Sequence, residues 1–178
     1  MFLDNLVQFS SAQAITSTAA STNIYDVTGA GSGNAPNMIG GITSSGNALI
    51  GVDIGIGDGI AIPEVFVDVT TAFVSGGGAT LTIQLQAAPD NGSNAPGTYV
   101  TIFQSAALTA AQLTAGARVE FQVPEVPPTT FGEAQPRFYR LNYLVATSTF
   151  SAGALNANLV LNPTNGSKMG NYPSNYVA

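Results

Sequence analysis

Histidine and cysteine are both missing from the 178 residues. The first absence removes the commonest general base, the commonest transition-metal ligand and the side chain that titrates nearest neutrality. A Ser-His-Asp triad goes with it. The second removes disulfides, thiolate zinc sites and a cysteine nucleophile, so stability has to come from packing and hydrogen bonds. Tryptophan is missing too. That takes away the strongest platform for stacking a sugar ring.

Charge is scarce, at 8% of the chain, where about 25% is ordinary. The imbalance is acidic: four Lys and Arg against ten Asp and Glu, a net charge of −6. Nucleic-acid binding relies on many cations that neutralise phosphates. Lys168, Arg118, Arg137 and Arg140 are too few and too scattered for it, so no nucleic-acid partner is expected. No apolar run approaches the roughly 20 residues of a bilayer-spanning helix, and no membrane partner is expected either. The opening MFLDNLVQFSS lacks the basic start and apolar run of a signal peptide. The expectation is a protein made in the cytoplasm and not exported, which leaves the glycosylation sequons at Asn91 and Asn165 without weight. A polar, nearly uncharged skin suits a surface that ends up against other protein.

What the chain does have is alternation. Short blocks of period two, separated by Gly, Pro, Asn and Ser, predict an all-β protein. ATLTIQLQ sets Leu81, Ile83 and Leu85 against Thr80, Thr82, Gln84 and Gln86. EVFVDVTTAFV sets Val65, Val67, Val69 and Phe73 against Phe66, Asp68 and Thr70. YVTIFQSA sets Val100 and Ile102 against Tyr99, Thr101 and Phe103, and RVEFQV sets Val119, Phe121 and Val123 against Arg118, Glu120 and Gln122. In RFYRLNYLV, Tyr139, Leu141, Tyr143 and Val145 oppose Phe138, Arg140, Asn142 and Leu144.

Blocks at ALIGVDIGI, GALNANLVLN and NIYDV bring the count to about eight strands. That number fits an antiparallel β-sandwich of the jelly-roll type. LTAAQL predicts one helical turn at most, with Thr109 and Gln112 at capping-box spacing. Arg137 falls at a strand start where its head can reach water. Arg140 lies mid-strand on the other face, either covering the strand or meeting a partner's carboxylate or backbone carbonyl.

A domain of this length buries roughly 70% of its unfolded surface without staples. The chain divides into an N-terminal arm over 1–18, a jelly-roll domain over 19–162 and a C-terminal tail over 163–178. The domain contains a long glycine-rich loop over 28–47, and loops of that length are usually functional or mobile. The tail keeps Tyr172 and Tyr176, aromatics expected to lie on a surface.

Chemical motifs are weak. The runs GAGSG (29–33) and GIGDG (55–59) lack the spacing, the helix and the Gly-Lys-Ser/Thr of phosphate-binding loops. Asp53 and Asp58 with Glu64 nearby could form a calcium site or a carboxylate pair, but Asp beside glycine more often serves its own turn. A Ser-Lys nucleophile would rest on Lys168. No enzyme activity, catalytic residue, cofactor or metal is expected. The alternative kept open is a carbohydrate-binding jelly-roll module or adhesin using tyrosines as platforms.

Five stretches carry a resemblance to a known family: MFLDNLVQFSSAQAITSTAASTNIYDV at the start; ATLTIQLQAAPD, TIFQSAAL and LTAGARVEFQVP in the middle; and RFYRLNYLVATSTFSAGALNANLVLN near the end. Their order resembles the jelly-roll capsid cement, or decoration, proteins of tailed bacteriophages, of the kind known from a short-tailed Bordetella phage. The insert from Gly29 to Gly46 departs from the pattern. The resemblance implies a non-enzymatic protein on the outer capsid surface of the virion. It would join the shell after assembly or expansion, bind the major capsid protein and tie capsomers together. It further implies a homo-oligomer, a dimer before a trimer. On that reading Phe2, Leu3 and Phe9, with Tyr172 and Tyr176, belong to arms lying across a sister subunit or the capsid protein, and Arg140 is a contact residue.

Overall fold

A computed structural model describes residues 8–27, 48–50, 63–124, 126, 128–132 and 135–161. In chain order its strands are β1 (Gln8–Ala14), β2 (Ala19–Ala20), β3 (Asn23–Asp26), β4 (Ala48–Ile50) and β5 (Pro63–Val74). They continue as β6 (Thr80–Ala88), β7 (Val100–Gln104), β8 (Leu108–Thr109), β9 (Arg118–Gln122), β10 (Phe138–Ala146) and β11 (Ala152–Leu161). Among the described residues there is no α-helix, only a 3-10 turn at Pro128–Phe131.

The strands form two sheets. One runs β1-β11-β5-β9; the other runs β4-β3-β10-β6-β7, with β2 added to β10 and β8 to β6. With the short β2, β4 and β8 set aside, β1-β11-β5-β9 faces β3-β10-β6-β7, the strand order of a jelly roll. Among the described residues pairing is antiparallel except between β3 and β4, which run parallel. The expected fold class is therefore present.

Alternation builds the core. On β6, Leu81, Ile83 and Leu85 are fully buried while Thr80, Thr82, Gln84 and Gln86 stay half-buried on the outside. Val65, Val67, Val69 and Phe73 of β5, Tyr139, Leu141 and Tyr143 of β10, and Leu155, Ala157 and Leu159 of β11 close on the same space. Each large apolar side chain so buried contributes roughly 1.5–3 kcal/mol. The turn after β8 follows its local signal: Gln112 Oε1 accepts from the Thr109 N–H at 2.9 Å and from Thr109 Oγ1 at 3.1 Å. That turn drops Leu113 into the core.

Register shifts shape the packing at three points. Between β6 and β7 a shift after Leu85 turns Phe103 inward, where it stacks on Phe121 of the other sheet at 4.2 Å. On β11 a shift around Gly153 brings its backbone onto the ring of Phe73. A Cβ at this position would stand 2.4 Å from that ring, and φ is +149°, so glycine is required on both counts.

The third shift corrects the assignment of residues 1–18 to an arm. From Gln8 onward the chain is strand β1, paired to β11, and the shift between Gln8 and Ser10 turns both Phe9 and Ser10 inward. Phe9 is 1% exposed in the core of its own chain, so it has no surface to offer a partner. The other arm and tail residues, Phe2, Leu3, Lys168, Tyr172 and Tyr176, lie outside the described residues, as do the 28–47 loop, Asp53 and Asp58.

Candidate functional site

The outward face of β10, β6 and β7 carries side chains in cross-strand rows. Register sets Asn142 opposite Gln84 and Gln84 opposite Gln104. Asn142 Nδ2 donates to Gln84 Oε1 at 2.7 Å, and Gln84 Nε2 donates to Gln104 Oε1 at 3.3 Å. In the next row Arg140 Nε donates to Gln86 Oε1 at 2.8 Å, and Gln86 Nε2 to Thr101 Oγ1 at 3.2 Å. Cross-strand pairs of this kind hold each other's rotamers and add modestly to sheet stability. Leu144 continues the face beyond Asn142 and is 37% exposed.

Arg140 anchors one end. Its guanidinium carbon stands 3.8 Å from the centre of the Tyr99 ring, a cation–π stack. Burial pulls its pKa below the usual arginine range, against a smaller opposing effect of Tyr99. Burial also pushes the Tyr99 hydroxyl up to about 12, with the Arg140 charge acting the other way. With Nε held by Gln86 and the plane held by Tyr99, the terminal fork has a fixed direction, the geometry that suits a carboxylate or a carbonyl. These rows contain one cation and no carboxylate, so their hydrogen-bonding capacity is almost wholly neutral.

Arg137 behaves differently from the expectation that its head reaches water. Its side chain is 13% exposed. Nε and Nη2 each donate to Asp26 of β3 at 2.9 Å, while Nη1 donates to Asp90 and, at 2.9 Å, to Asn94 Oδ1. The hydrogen bond to Asp26 is the largest of the effects that raise the Arg137 pKa. Asp90 in turn accepts from the N–H groups of Gly92 at 2.7 Å and Asn94 at 3.1 Å. One guanidinium thus ties the start of β10 to β3 and to the loop between β6 and β7.

The remaining carboxylate of the weighed trio, Glu64, lies on β5 and accepts from Gln122 Nε2 at 3.4 Å. Asp26, Asp90 and Tyr99 were not singled out as site residues from sequence. The repeating polar side of ATLTIQLQ was the available signal for the rows, but which side chains meet across strands depends on register.

Fold and face together define a jelly-roll β-sandwich with a neutral outer surface laid in amide rows. The chain belongs to the Bbp16 family, whose profile matches residues 9–159, from β1 into β11. This is a Bordetella phage-derived family, which fits a phage protein. No curated protein matches the chain.

Proposed function

We propose that the protein is a capsid decoration protein. It binds the outer surface of a tailed-phage head through the major capsid protein, self-associates, and ties neighbouring capsomers together, with no substrate turnover and no cofactor. Membership of a phage-derived family over residues 9–159 carries this reading. The amide rows support it physically. Neutral amides are exchanged against a partner's backbone at a far smaller desolvation cost than charges. An oligomer that touches two capsomers gains avidity, because its second contact is intramolecular.

The test is co-sedimentation of the purified protein with empty phage heads, in low salt and in roughly 1 M NaCl, where the Debye length is about 3 Å. The protein should pellet with the heads in both, and the double variant Gln84→Glu with Asn142→Asp should stay in the supernatant while keeping its fold. Wild-type protein that remains in the supernatant refutes the assignment, and clear binding on a glycan array would move it to the carbohydrate-binding alternative.

A further inference from the structure

Edge strands present rows of unpaired backbone N–H and C=O groups, and the edges of this sandwich differ in how they are closed. The β1 edge is irregular, with two register shifts, and the side chains of Gln13 and Asn23 bridge it. β7 carries a register shift of its own, and β4 is three residues long. β9 is unlike these: its five residues pair with β5 in unbroken register.

Val69 N–H donates to the Ala117 carbonyl and Val123 N–H to the Pro63 carbonyl, both at 2.9 Å. By the alternation of an antiparallel ladder, residues 117, 119, 121 and 123 turn their backbone groups toward β5, and Arg118, Glu120 and Gln122 turn theirs away. Among the described residues these outward groups have no partner. All three residues are exposed.

We propose that β9 pairs antiparallel with β9 of a second copy, about a two-fold axis through Val119, which joins two four-stranded sheets into one. In this register Arg118 faces Glu120 of the other copy and Glu120 faces its Arg118. Each pair brings outward backbone groups together, so each exchanges both N–H···O=C bonds. Charge makes the fit self-complementary. Arg118 already has Asp68 at 3.8 Å on the β5 side, so the second copy's Glu120 completes a row of carboxylate, guanidinium and carboxylate. Moving the axis to Glu120 would set two glutamates face to face, which disfavours that alternative. Isologous pairing closes on itself and leaves the amide face on the opposite sheet free.

The contact rests on the self-association proposed above, and it is measured without any capsid, so failure to bind heads leaves it standing. Sedimentation equilibrium from micromolar to millimolar protein is the experiment, with unfolding curves confirming that each variant is folded. The wild type should dimerise. Arg118→Glu and Glu120→Arg each place like charges opposite one another twice, and each should weaken the dimer roughly tenfold or more. The double variant reverses both charges and should restore it. Glu120→Gln, which removes charge without repulsion, should fall between. A wild type that stays monomeric, single variants that dimerise as well as wild type, or a double variant no better than its parents would overturn the proposal.

Discussion

Tyr143 on β10 donates its hydroxyl hydrogen to Ser10 on β1, 2.7 Å away inside the core, and so joins one sheet to the other. The direction follows from a single proton: Ser10 Oγ gives its own hydrogen to Gln13 Oε1 at 2.7 Å and can only accept from the tyrosine. Ser10→Ala should therefore cost about 1–3 kcal/mol, because it strands a buried hydroxyl. Tyr143→Phe leaves Ser10 its Gln13 bond and should cost less. In urea unfolding the double variant should lose less than the sum of the singles. Strict additivity would show that the two hydroxyls are not coupled.

Arg137 is the second place where removal of one partner is costly. Its neighbour Asp26 has a side chain 1% exposed. Arg137→Met takes away the fork and leaves that carboxylate buried, with an expected loss of roughly 3–5 kcal/mol. Arg137→Lys should recover only part of this, since a point charge cannot serve Asp26 by two bonds and reach Asp90 as well. Chemical denaturation of the three proteins ranks them. A lysine variant as stable as wild type would contradict the need for a fork.

Asn158 points to a gain. It is 1% exposed on β11, and among the described residues neither its amide nitrogen nor its amide oxygen has a hydrogen-bond partner. An unsatisfied buried amide costs about 1–3 kcal/mol. Asn158→Leu, close in shape and without polar atoms, should raise the thermal midpoint. A lower midpoint would mean that the amide is satisfied by a group such as an ordered water.

The pH profile should be flat and then fall. With neither histidine nor cysteine, no side chain has an ordinary titration between roughly pH 6 and 9. Burial raises the pKa of Tyr99 to about 12 and pushes Tyr139 and Tyr143 upward as well. The unfolded chain gives up these protons near pH 10 while the folded chain keeps them. Above pH 10 the unfolded state binds fewer protons, and stability drops as pH rises. The limiting slope is about 1.4 kcal/mol per pH unit for each fully buried tyrosine. Urea midpoints from pH 6 to pH 11 check this, and a marked decline already between pH 6 and 9 would contradict it.

What could be read ahead of the structure was what is local. Leu81, Ile83 and Leu85 face inward because neighbours two apart share a face whatever the partner strand is. Thr109 and Gln112 close their turn because the bond spans three residues. Phe103 was misplaced because a register shift belongs to the pairing of two strands and leaves no mark in either one, and Phe9 because its strand, β1, was taken for part of an arm. The acids that hold Arg137 lie 111 and 47 residues away in the chain. Only the folded topology brings them together. The amide rows were half visible: Gln84, Gln86, Thr101, Arg140 and Asn142 fall on outward faces by alternation, but Gln104 does not, and the order across three strands was not legible.

The antiparallel pairing of the first and last strands has a consequence for engineering. Gln8 stands opposite Asn158, near where β11 finishes, so the first residue of β1 and the last of β11 lie at one pole of the sandwich. A cargo fused ahead of residue 8 and another fused behind residue 161 would be tethered side by side at that pole. A short peptide bridging the two points would circularise the framework, and new termini could then be opened at the exposed Gly76–Gly78 bend at the far end of β5.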